Sequence, residues 1–140
     1  IDVENDSKEQ SQLNTKVFEK TLQIKELVKA ELHFVSVIAI SRISKELDLV
    51  EPWEVLSAQG DELKIKLDNY IKSKNTQTLC KSHVMAGVPH LEIPSAAKKL
   101  KADIVVFGNV ARTGIKGLII GDTAEKILTK LSADTLIVKK

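Results

Sequence analysis

From Gln10 to Lys29 the apolar positions fall at helical spacing. Leu13, Val17, Ile24 and Val28 recur three, four or seven residues apart, and Phe18, Leu22 and Leu27 widen the stripe. The pattern then changes. "LHFVSVIAI" (Leu32 to Ile40) is apolar on both faces and rich in Val, Ile and Phe, as a parallel strand covered by helices on both sides requires. "SRISKELDLVEPWEVLSAQG" has no clean period and is broken by Pro52; a helix follows, with Leu56, Leu63, Leu67, Tyr70 and Ile71 on one side. "TQTLCKSHVM" (Thr76 to Met85) reads as a weaker strand, polar enough for a sheet edge. Gly87 marks a turn before a short helix ending near Leu100, with Pro94 tolerated in its first turn. "DIVVFG" predicts an uninterrupted buried strand, Asp122 to Leu131 a helix, and "ADTLIVKK" a final strand.

At the start, "IDV" reads as the end of a strand whose first two to four residues would lie upstream, given ordinary strand lengths of about 5–6 residues. The chain is therefore expected to be a single domain over residues 1–140, and a piece of a longer polypeptide. Alternation of strand and helix gives an α/β fold: a doubly wound parallel sheet with helices on both faces. Ligands of such sheets bind beyond the carboxyl ends of the strands.

Composition narrows the function classes. Net charge is +2, from 21 basic and 19 acidic residues scattered along the chain, with no basic cluster or aromatic interleaving that would suit nucleic acid. No apolar run approaches the roughly 18 residues that span a bilayer, so no membrane partner is expected. A single cysteine, Cys80, leaves no intrachain disulfide and fits a reducing cytoplasm. Cys80 and His83 form a lone C-x-x-H, and His33 and His90 are distant in sequence, so no metal site is expected. No Ser/His/Asp or Cys/His set has a supporting motif, and no catalytic residue is assigned. Trp53, near Ile40, Ile43, Leu47, Leu49 and Val50, either closes a loop and helix over the sheet or lids an apolar cavity.

The loop after "DIVVF" carries the chemistry. Glycines stand at 108, 114, 117 and 121, in neither P-loop nor dinucleotide spacing. Gly108 is expected to end a strand and let the backbone approach a ligand. Gly121 precedes a helix, whose free N–H groups favour an anion. Asp122 and Glu125 have capping-box spacing, with Asp122 at the N-cap, where its carboxylate would occupy the N–H groups that otherwise meet phosphate.

Three stretches, "IDV", "AGVPHLEIPSAAKKLKADIVVFGN" and "GLIIGDTAEKIL", resemble the universal stress protein family, and the likeness runs over essentially the whole chain. It is most similar to the second domain of the tandem, E-type members, where the phrase "TVGRTG…LGNTAE" compares with "NVARTG…IGDTAE" here. The resemblance implies a five-stranded parallel sheet in the order 3-2-1-4-5, of the adenine nucleotide alpha hydrolase-like class. It also implies a preceding domain of the same kind.

ATP-binding members share a signature of Gly, two residues, Gly, nine residues, Gly, then Ser or Thr. Laid on this chain it falls on Gly108, Ala111, Gly121 and Asp122, so two of the four positions depart. Ala111 adds a methyl group where backbone must approach phosphate. Asp122 sets a carboxylate against another anion, at a cost of about 4 kcal/mol per charge pair at roughly 4 Å. Arg112 or Lys116 could offset part of that. Elsewhere the resemblance places Asp2 at the adenine and ribose end, Val37 at the base pocket, Phe107 beside the first glycine and Thr123 in the phosphate-side turn. Val37 and Phe107 also read as plain core, and Asp2 as a turn cap or a solvent-facing residue.

The expected function is therefore a non-catalytic stress-response module with a degenerate nucleotide pocket and no required cofactor. It would pair through the last strand, Thr135, Leu136, Ile137 and Val138, with the preceding domain or with a second copy. The alternative is a small-molecule binder, holding ATP weakly or an apolar ligand under Trp53.

Overall fold

A computed structural model of the chain describes residues 1–74, 78–109 and 120–139. Helix α1 (Lys8–Val28) starts where the Ser7 side chain accepts the Gln10 N–H, and stops at Lys29, whose φ of 53° is left-handed. Leu13, Val17 and Phe18 of its stripe are buried, whereas Leu27 and Val28 of the last turn are exposed, contrary to the periodic reading. Strand β1 (Leu32–Ala39) buries alternate residues, Leu32, Phe34, Ser36 and Ile38. A short α2 (Arg42–Glu46), capped by Ser41, and a long α3 (Pro52–Ser73) follow. Pro52 sits at the start of α3, where its missing N–H costs nothing, so it begins the helix that the sequence places later.

Strand β2 (Cys80–Gly87) begins four residues after the predicted Thr76 and pairs in parallel with β1, Leu32 opposite Cys80 and Ala39 opposite Gly87. Gly87 has a φ of 152°, outside the range of L side chains, and turns the chain directly into α4 (Pro89–Lys99). Because α4 starts at Pro89, Pro94 lies inside the helix and not in its first turn. Strand β3 (Ile104–Asn109), helix α5 (Asp122–Leu128) and strand β4 (Asp134–Lys139) complete the order, and β3 and β4 are parallel, Ile104 opposite Asp134. The buried run expected of "DIVVFG" is mostly half-covered, and Ile104 is exposed.

Among the described residues the strands form two separate two-stranded sheets, β1 with β2 and β3 with β4. This differs from a single five-stranded ladder. Residues 1–3 belong to no strand. Their contacts nonetheless tie the halves together. The Ile1 nitrogen donates to the Val35 carbonyl of β1 at 3.1 Å. The Ile1 side chain packs against the Phe18, Leu32, Phe34, Leu67 and Ile71 cluster and also against Leu13, Val17 and Val138. Helix α1 thus supplies apolar side chains to both halves, while α3 packs on β1 and β2, and α4 on those strands and on α5. Phe18 stacks on Phe34 with ring centroids 5.1 Å apart, and meets the edge of Tyr70 at 6.1 Å. Among the described residues no helix is long and apolar enough to cross a membrane.

Candidate functional site

The predicted nucleotide residues belong to four places: the Ile1–Val3 segment, the end of β1, the end of β3 and the start of α5. Asp2 is exposed, and its Oδ1 accepts the backbone N–H groups of Glu4 and Asn5, each at 3.2 Å. Its carboxylate therefore caps its own turn. The Asp2 backbone is held by Asn14, a buried side chain on α1. Asn14 Nδ2 donates to the Asp2 carbonyl at 2.6 Å, and its Oδ1 accepts the Asp2 N–H at 3.3 Å. A buried amide satisfied on both sides fixes register, because leaving either partner unmet costs about 1–3 kcal/mol. Asn14 was not singled out from sequence; a polar residue on the apolar face of α1, between Leu13 and Val17, is the signal that marks it.

The residue before it, Leu13, settles the local role of Gly108. Gly108 lies inside β3, opposite Val138, rather than at the strand end. A Cβ built there would stand 2.6 Å from Leu13 Cγ, and Leu13 is only 2% exposed. Absence of a side chain at Gly108 is thus what lets α1 sit close on β3, a packing requirement met before any ligand is considered.

Asn109, the last residue of β3, is 3% exposed, and its Oδ1 accepts the Gly121 N–H at 3.1 Å. This bond brings the end of β3 to the start of α5. It was also missed from sequence, where Asn109 reads only as the residue after a glycine. Gly121 is the N-cap of α5, with φ −64° and ψ 151°, and no side chain caps the helix. Asp122 is consequently the first helical residue, not the cap, and the expected capping box with Glu125 does not form. Its carboxylate is exposed and accepts from Lys126 Nζ one turn on, at 2.7 Å. The charge remains favourable in the first turn of the helix, but it is directed along α5 rather than onto the terminal N–H groups. Thr123 is exposed in the same turn. Ala111, with Arg112 and Lys116, lies outside the described residues.

Direct contacts therefore run from Asp2 through Asn14 and Leu13 to Gly108, and from Asn109 to Gly121. Val37 is half-buried opposite Met85, and Phe107 half-buried opposite Ile137; strand alternation turns Phe107 to the face away from Gly108. Two surface depressions lie elsewhere. One is lined by Ser11, Gln12, Thr15 and Lys16, the other by Lys16, Glu19, Lys20 and β4 residues Leu136 to Lys139. Trp53 is 65% exposed at the start of α3, with Ile43, Leu47 and Leu49 also exposed, so it lids neither.

One histidine contact is not visible in the sequence. Cys80 and His83 point to opposite faces of β2: Cys80 packs into the core, and His83 meets His33 of β1. Burial, then the neighbouring His33, Lys64 and Lys81, hold His83 below the ordinary imidazole pKa. On the other face Lys64 reaches both carboxylate oxygens of Asp68 at 2.9 Å, and Ser82 of β2 hydrogen-bonds to both residues.

The model of the "Universal stress protein family" matches residues 8–139. The chain is 32% identical over 133 residues to universal stress protein E of Escherichia coli K12, covering 91% of itself and 41% of that protein. The chain thus spans less than half the length of this curated relative. The crystal structure of a functionally unknown protein from Pseudomonas aeruginosa PAO1 superposes with a TM-score of 0.71 at 30% identity, covering 99% of this chain and 45% of the other. A universal stress protein solved in complex with cAMP shares the fold, with a TM-score of 0.54 at 21% identity over 89% of this chain and 85% of its own. The chain belongs to the universal stress protein family.

Proposed function

We propose that this chain is a non-catalytic, cytoplasmic stress-response module, one domain of a tandem protein, that works by pairing through its last strand. The open outer edge of β4 carries the reading. Among the described residues β4 pairs only with β3, and Leu136 is 36% exposed beside the depression under α1. An uncovered apolar edge invites a further strand or a partner surface. The natural occupant is the neighbouring domain of the same chain, or a second copy about a two-fold axis. Coverage of less than half of the relatives' length by nearly all of this chain supports the tandem arrangement. In sedimentation at micromolar concentration the chain alone is expected to form dimers, and Leu136→Lys with Ile137→Lys to return it to monomers. A wild-type monomer would remove the pairing reading.

In this proposal Ile1–Val3 takes the place of the middle strand in the order 3-2-1-4-5. Its support is the position of Ile1, which touches the apolar clusters of both half-sheets.

A second reading, weak nucleotide binding, is favoured by the contacts that keep Asp2, Gly108, Asn109 and Gly121 in one frame and by the cAMP complex of the relative. Against tight binding stand Ala111 and the exposed Asp122 carboxylate. Calorimetric titration with ATP and magnesium is expected to give feeble binding, improved about tenfold or more by Asp122→Ser with Ala111→Gly, since about 1.4 kcal/mol is a decade. Tight binding by the natural sequence would overturn the degenerate-pocket reading; no gain in the double variant would place the loss elsewhere.

A further inference from the structure

His33 and His83 are fifty residues apart in sequence and neighbours on one face of the β1–β2 ladder. His33 lies opposite Lys81 and Val35 opposite His83, so the two imidazoles meet diagonally across adjacent parallel strands. His33 Nδ1 and His83 Nε2 are 2.9 Å apart. The ring planes differ by 21°, and their centroids are 5.1 Å apart, longer than the nitrogen separation by about two imidazole radii. The nitrogens therefore lie between the ring centres, and the rings meet edge to edge rather than face to face.

Such a contact holds one proton between two lone pairs. Glu31 Oε1 stands 3.6 Å from His33 Nε2, which favours the proton on Nε2 and leaves His33 Nδ1 as the acceptor. His83 then donates from Nε2. A tautomeric shift of His83, moving its proton to Nδ1, converts the pair into two unprotonated nitrogens facing one another with no change of charge. Two metal–nitrogen bonds of about 2.0–2.1 Å at a right angle span a nitrogen separation of about 2.9 Å, which is the distance found here. To converge on one ion, each lone pair has to swing by about 45° from the line between the nitrogens, which rotation of the two partly exposed side chains would supply.

We propose that His33 and His83 form a two-histidine site for a borderline divalent transition cation of tetragonal preference, Cu²⁺ or Ni²⁺. Imidazole suits such ions, and Cu²⁺ stands highest in the affinity order. Among the described residues no arrangement of three or more His, Cys, Asp or Glu is poised for a metal, so water completes the coordination. The Glu31 carboxylate, hydrogen-bonded to Lys81, stands 3.6 Å from the outer nitrogen of His33 and adds negative charge behind it. The nearby cations do not face the site unopposed, since Lys81 is paired with Glu31 and Lys64 with Asp68. His33 is reachable, with 22% of its side chain exposed.

The test uses untagged protein and Cu²⁺ alone. Sub-stoichiometric Cu²⁺ is expected to broaden the imidazole NMR resonances of His33 and His83 before those of His90. Equilibrium titration should show one site per chain that loses tenfold or more in affinity in His33→Asn and in His83→Asn. The NMR measurement needs no variant and so holds even if a substitution perturbs the strands. Uniform broadening of all three histidines, or saturable binding of unchanged strength in the double variant, would overturn the site.

Discussion

Phe18→Ala is expected to remove about 3–5 kcal/mol of stability, as truncation of a buried aromatic does. Domains of this kind have about 5–15 kcal/mol in all, so the variant should unfold at a small fraction of the wild-type urea midpoint. The size follows from position rather than from residue type alone. Phe18 is 2% exposed, stacks on Phe34 of β1 and meets the edge of Tyr70 of α3. Its removal opens a gap among three elements, each anchored by its own backbone bonds, so the gap cannot readily close. Phe18→Leu, which keeps most of the volume, should cost markedly less. A loss below about 1 kcal/mol in Phe18→Ala would mean that α1 is free to settle inward, and that the two half-sheets are less firmly spaced than described.

The second large effect is at Gly108. Gly108→Ala is expected to cost about 1–3 kcal/mol by overpacking, because the added methyl group meets the Leu13 side chain. Leu13 has no solvent to swing into. A double-mutant cycle separates this cause from a role in ligand binding. In a Leu13→Ala background the same Gly108→Ala change should cost little, giving a coupling of about 1 kcal/mol or more between two residues in contact. If instead Gly108→Ala leaves the urea midpoint unchanged and alters only nucleotide titration, the glycine serves a ligand and the packing account is wrong.

Gly108 also shows where sequence reading stops. Its position in a family signature is visible in the chain, but the reason for it is a helix 95 residues earlier in the sequence that comes within contact of its Cα side. Local periodicity made α1 legible within a few residues, and an apolar run and turn residues did the same for β1 and for the end of α4. Ends were less legible. Leu27 and Val28 fit the period yet project beyond the sheet, and a one-residue shift of the α5 start made Gly121 the cap and turned Asp122 toward Lys126. The hydrogen bonds of Asn14 with Asp2 and of Asn109 with Gly121 each cross twelve residues, and the His33–His83 contact crosses fifty. No short-range pattern records such pairs, because the tertiary fold brings them together.

The double allegiance of α1 has a consequence for how the molecule comes apart. With Leu13 and Val17 committed to the β3–β4 half and Phe18 to the β1–β2 half, one helix contributes to the core of both. Neither half can shed α1 and keep its own apolar cover, so the two small sheets are bound to a common opening event instead of exchanging their amides as independent units. A ligand or partner that steadied α1 would thereby slow solvent entry into both halves at once, including the one it never touches.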